Sequence, residues 1–116
     1  MPYHLLKQAD AHAEEKFGIA LRVYPITETC EAVLVETAAG HRQEFYHKTS
    51  TFHYLVVEGF GSFFLDDEQV DVHAGDRLSI APYTRIYYKG CMKLVLITTP
   101  PWAPEGEVET RASAWE

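Results

Sequence analysis

Residues 41–61 read HRQEFYHKTSTFHYLVVEGFG and residues 73–90 read HAGDRLSIAPYTRIYYKG. Both stretches alternate short runs of β-formers with turn residues. In the first, 43–47 and 52–58 (FHYLVVE) are dense in aromatic and β-branched side chains, and Gly59, Phe60 and Gly61 make a tight connection into 62–65. In the second, Gly75 and Asp76 form a turn followed by 77–80 and 85–89. Between them Asp66, Asp67 and Glu68 read as a hairpin turn leading to 69–72. The same texture continues outward through 19–26 (IALRVYPI), 31–37 (EAVLVET) and 93–98, with Pro25 pointing to an edge or a bend. Strands this short and evenly spaced predict an all-β antiparallel sandwich or barrel, not a βαβ sheet. One helical segment is expected, over 8–17, with Asp10 as its cap and Gly18 at its end.

The chain has 116 residues, enough for one domain. Its organisation reads as an N-terminal segment over 1–18, a barrel over 19–99 and an extended tail over 100–116, since Pro100, Pro101 and Pro104 cannot join a central strand. Hydrophobic residues make up 47% and charged residues 23%, as in ordinary globular proteins. A formal net charge of −7 repels phosphate backbones and anionic lipid, so neither nucleic acid nor a membrane is expected as a partner. No apolar run approaches the roughly 20 residues that span a bilayer. The opening MPYHLLKQADAHAEEK has neither the basic nor the apolar region of a signal peptide. Cys30 and Cys91 lack metal-like spacing and read as reduced thiols, so the expected location is the cytoplasm.

The two opening stretches resemble the two motifs of the cupin superfamily in its small single-domain form. The first family motif is a glycine, an H-x-H pair, a glutamate and a glycine; Gly59 anchors its end here. The second is a Gly-Asp turn, a proline-containing stretch and a further histidine; Gly75, Asp76 and Pro82 anchor it. Fifteen residues separate Gly59 from Gly75, the compact spacing of small bacterial cupins. The resemblance covers about residues 31–108 and implies a jelly-roll-like antiparallel β-barrel. It also implies where metal ligands would stand. Those positions fall on Phe45, His47, Phe52 and Ile86, so one donor of four remains and no metal or other cofactor is expected.

Strand alternation puts Phe45 and His47 on one face, which the resemblance directs into the barrel. His47 is then either a core histidine bonded to backbone or a polar anchor and general base in the pocket. Tyr54 alternates with Phe52, and Tyr88 with Ile86, so both tyrosines are expected on the inner face. The expected ligand site is therefore Phe45, His47, Phe52, Tyr54, Ile86 and Tyr88, with His47 and Tyr54 as the catalytic candidates. His41 and His73, beside turns, read as solvated; His53 reads as a surface or subunit contact.

Three functions fit this set. The first is a metal-free barrel that binds a small apolar or aromatic molecule. The second is a metal-independent isomerase or epimerase pairing His47 with a tyrosine, as some cupin-fold deoxysugar epimerases do. The third is a structural barrel whose pocket is filled by its own side chains. A homodimer is expected, because Leu55 and Val57 flank His53 on the outer face.

Overall fold

The structure, a computed structural model, describes residues 2–111. Its strands are β1 (His12–Lys16), β2 (Ile19–Thr27), β3 (Cys30–Thr37), β4 (Gly40–His47), β5 (Thr51–Leu65), β6 (Glu68–His73), β7 (Arg77–Ile80), β8 (Ile86–Thr99) and β9 (Glu107–Glu109). All pairings are antiparallel and form one curled sheet, in the order β1-β2-β3-β8-β4-β9, with β5 pairing β6, β7 and β8. The all-β barrel expected from the sequence is the fold observed. Among the described residues no helix is long and apolar enough to cross a membrane.

β8 organises the barrel. Its even-numbered residues other than Gly90, namely Ile86, Tyr88, Met92, Leu94, Leu96 and Thr98, are buried, the period of 2 that a one-sided strand requires. One edge of β8 pairs with β4 near its start and with β3 further on, while β5 runs along the other edge from Leu65↔Ile86 to Thr51↔Thr99. β5 changes parity on the way. Phe52, Tyr54 and Val56 face inward, the register shifts between Val56 and Glu58, and Phe63 then becomes the inward residue at 0% exposure. Gly59 comes just after that bulge with φ +85°, and a Cβ there would stand 2.1 Å from the Cys91 carbonyl oxygen. Only glycine meets both conditions.

The N-terminus corrects the expected helix over 8–17. A single 3₁₀ turn, Gln8–Asp10, precedes β1, which closes a hairpin with β2 through Phe17 (φ 52°) and Gly18 (φ 93°). Glu14 and Glu15 favour a helix locally, but no apolar stripe is present for a helix to bury. A charged strand is a stable outer edge for the sheet. Pro25 lies beyond the last β1 pairing, His12↔Val23, where β2 has no strand neighbour on that side among the described residues. After β8 the tail has no regular structure over 100–103, turns once as a 3₁₀ helix at Pro104–Gly106, and then adds β9 to β4. Residues 112–116 of that tail lie outside the described residues.

Candidate functional site

A cavity of about 240 Å³ opens between the inner faces of β2, β3, β4, β5 and β8. Aliphatic side chains from β2 and β3 form one wall and Phe45, Phe52, Tyr54 and Tyr88 form the aromatic one. The 100–111 segment supplies Trp102 and Glu107. The edge strand β1 contributes His12, Glu14 and Lys16, three alternate residues that share one face. Its size is below the roughly 300–1,000 Å³ of common ligand sites, so it takes a compact molecule.

The polar group set among the aromatics is His41, not His47. His41 sits at the start of β4 opposite Tyr88, is 5% exposed, and touches the rings of Phe45 (4.9 Å), Phe17 (5.4 Å) and Tyr88 (5.7 Å). Its Nδ1 is buried with no hydrogen-bond partner among the described residues. A buried polar atom left unpaired costs about 1–3 kcal/mol, which a ligand group would recover. Burial pushes the imidazole pKa down to about 4, so His41 is neutral near neutral pH and open to a proton. This corrects the expectation of a solvated residue at a turn.

Tyr54 and Tyr88 complete the arrangement. Their rings meet edge-on at 5.8 Å, each packs on Phe63, and both are at most 2% exposed. Burial drives both phenol pKa values up, and for Tyr54 the neighbouring Tyr88 and the Glu107 carboxylate add to it. Both therefore stay protonated as hydrogen-bond donors. On the polar side Trp102 Nε1 donates to Glu107 Oε1 at 3.1 Å, and Lys16 Nζ lies 4.8 Å from the Trp102 ring centroid. Glu31 also lines the cavity, and burial raises its carboxyl pKa.

Of the expected site residues, Phe45, Phe52, Tyr54 and Tyr88 come together around the cavity. His47 and Ile86 do not line it. His47 is 2% exposed, but its Nδ1 faces the backbone N–H groups of Ser50 (3.0 Å) and Thr49 (3.2 Å), and its Nε2 lies 3.0 Å from the Ala103 carbonyl oxygen. Nδ1 must then accept and Nε2 donate, which commits both nitrogens to the backbone. Ile86 packs beside Phe45 across the β4–β8 pairing. The barrel is not filled by its own side chains here: the cavity stays open among them. The residues at the implied metal positions do not fit a metal: Phe45, Phe52 and Ile86 have no donor atom and His47 has none to spare. Among the described residues no cluster of three or more His, Cys, Asp or Glu side chains could hold an ion.

The chain superposes on Pac13 from Streptomyces, described as a nucleoside dehydratase, with a TM-score of 0.92. The two are 33% identical over 97% of this chain and 94% of Pac13. This chain is a cupin of the family that includes Pac13. This cupin also matches KdgF from Halomonas (TM-score 0.75, 16% identity, 89% of this chain and 98% of that one). An RmlC-like cupin from Shewanella frigidimarina matches as well (TM-score 0.72, 16% identity, 89% and 95%). Those two show the fold alone. Three further Pac13 structures are variants solved with uridine: one replaces a histidine by glutamine and two replace a tyrosine by phenylalanine. Those three positions are separated by thirteen and then thirty-four residues, the intervals that separate His41, Tyr54 and Tyr88 in this cupin. No family model and no curated protein matches the chain.

Proposed function

We propose that this cupin binds a nucleoside in the cavity and dehydrates its sugar, with His41 as the proton-transfer group and Tyr54 and Tyr88 as oxygen-directed donors. The observation that carries the reading is the buried, unpartnered Nδ1 of His41 beside two protonated tyrosines in a compact aromatic cavity. The Pac13 variants with uridine fall at positions of the same spacing, which supports the same three residues here.

Dehydration takes a proton from one carbon and a hydroxyl from its neighbour. Neutral His41 accepts the carbon-bound proton, and the imidazolium returns it to the departing hydroxyl, which leaves as water with no change in redox state. An imidazole whose basicity burial has lowered is a weak base, so the C–H bond must be acidified by an adjacent carbonyl. The phenols then hydrogen-bond the oxygen on which charge develops. The isomerase reading shares the proton abstraction and differs only in returning the proton to carbon instead of to a departing hydroxyl.

Calorimetry with uridine, and mass spectrometry for loss of one water from nucleosides bearing a sugar carbonyl, test this function. Binding by the parent, together with loss of turnover but retained binding in His41→Gln, is the expected pair of results. If the parent does not bind uridine at millimolar concentration, the nucleoside assignment is wrong.

The protein is further read as a homodimer. Leu34, Leu55 and Val57 are 41%, 44% and 51% exposed on the outer face, and the pairings Leu34↔Val95 and Leu55↔Val95 set an apolar row across three strands. Two free thiols, Cys30 and Cys91, support a reducing compartment such as the cytoplasm.

A further inference from the structure

Trp102 and Glu107 reach the cavity only because the 100–111 segment crosses the barrel where it does; β9 pairs that segment with β4 from Phe45↔Glu109 to His47↔Glu107, and side chains of β4 anchor it at two places on either side of that ladder. At the first, His47 Nε2 donates to the Ala103 carbonyl at 3.0 Å, and the Lys48 N–H donates to the Gly106 carbonyl at 2.8 Å. The strap lies directly on the imidazole. A Cβ on Gly106 would stand 2.3 Å from His47 Cε1 and 2.6 Å from Nε2, and His47 is itself pinned by Thr49 and Ser50.

At the second place stands Glu44, fully buried and outside the cavity lining. Its carbonyl accepts the Thr110 N–H at 2.9 Å, and its carboxylate accepts Thr110 Oγ1 (2.6 Å), Arg111 Nε (3.0 Å) and Arg111 Nη2 (2.5 Å). Arg111 continues to Asp67 Oδ1 at 2.6 Å, and Arg85 reaches both Glu44 (3.4 Å) and Asp67 (3.0 Å). Arg111 is half exposed while the Glu44 carboxylate is buried, so losing the guanidinium would leave a buried charge short of partners, and that cost links the strap to the barrel.

We propose that His47 and Glu44 are positioning residues: from β4 they hold the 100–111 strap so that Trp102 and Glu107 form the closing wall of the ligand cavity. His47 thus acts on the site through Trp102, without touching the ligand. The affinity arm of the test rests on the nucleoside reading; the spectroscopic arm does not.

A Trp115→Phe background leaves Trp102 as the sole tryptophan. Its emission maximum and acrylamide quenching are compared in that parent, Gly106→Ala, Glu44→Gln, Arg111→Ala and Arg111→Lys, alongside uridine affinity and far-UV circular dichroism. Arg111 is half exposed, so its truncation spares the core even if Glu44→Gln fails to fold. Gly106→Ala and Arg111→Ala should red-shift Trp102, raise its quenching and weaken uridine by about tenfold, the order expected when a buried aromatic wall is displaced. Arg111→Lys should restore part of each signal. An unchanged Trp102 signature in both Gly106→Ala and Arg111→Ala overturns the proposal, as does a displaced Trp102 with unchanged uridine affinity. If the parent binds no uridine, the nucleoside reading falls and quenching alone decides whether the two anchors hold the strap.

Discussion

Replacing His41 by glutamine should flatten the acid side of the stability curve, and the structure sets both the sign and the size of the effect. Burial carries the imidazole pKa from 6.5 down to about 4 in the folded chain. Between those values the unfolded chain binds a proton that the folded chain does not, so lowering the pH favours unfolding. The stability tied to His41 is fully present above pH 6.5 and is lost as the pH falls toward 4. At about 1.4 kcal/mol per pH unit the whole interval is worth roughly 3 kcal/mol. For a chain of 116 residues, with about 4 °C in Tm per kcal/mol, that amounts to roughly 10 °C. Glu44 is held below the usual carboxylate value by Arg111, so its contribution is lost mainly below the same window. Glu31 works in the opposite sense: burial raises its pKa, so acid favours its folded form and offsets part of the loss. Both are present in parent and variant alike, and the difference between the two melting curves isolates His41. Thermal melts at half-unit steps between pH 7 and pH 4 provide the measurement. Parallel curves for parent and His41→Gln would refute the claim that the imidazole is desolvated, and with it the basis for a neutral proton acceptor in the cavity.

The same geometry has consequences at other positions. Tyr54→Phe and Tyr88→Phe should keep the fold and still bind uridine, while each slows dehydration by roughly 10²-fold, the effect of deleting one oxygen-directed donor; single-turnover rates separate this from a change in affinity. Leu55→Glu, on the outer face, should turn a dimer into a monomer by light scattering without altering uridine affinity. Elemental analysis of protein purified without a metal column should find no stoichiometric transition metal, because three of the four implied ligand positions are Phe45, Phe52 and Ile86.

The barrel was legible because its signals are local. Period-2 alternation in FHYLVVE and in the 85–98 region, the Gly59 and Gly75 turns and the spacing between them all act within a few residues, and the fold keeps each of them. Two features were not local. Glutamates in 8–17 favour a helix by propensity, but a two-residue turn at Phe17 and Gly18 and the free edge of β2 make the strand the better partner. The bulge after Val56 is a second case. Strict alternation from Phe52 puts Phe60 inside, whereas the register shift leaves it 74% exposed and buries Phe63.

The site was half legible for a related reason. Parity puts Phe45, Phe52, Tyr54 and Tyr88 each on one face of its strand, the family resemblance directs that face inward, and all four line the cavity. His41 and His47 have the same parity as Phe45, so alternation admits both to the inner face and cannot rank them. What separates them is which nitrogens find partners. His47 meets two N–H groups from the adjoining turn and a carbonyl 56 residues away, while His41 packs among three rings and its Nδ1 has no hydrogen-bond partner among the described residues. A histidine satisfied by backbone has committed its chemistry to the fold, and one left with a bare buried nitrogen keeps it for a ligand. That distinction is made by the strap from the far end of the chain, which takes the nitrogen of one histidine and closes a wall over the other.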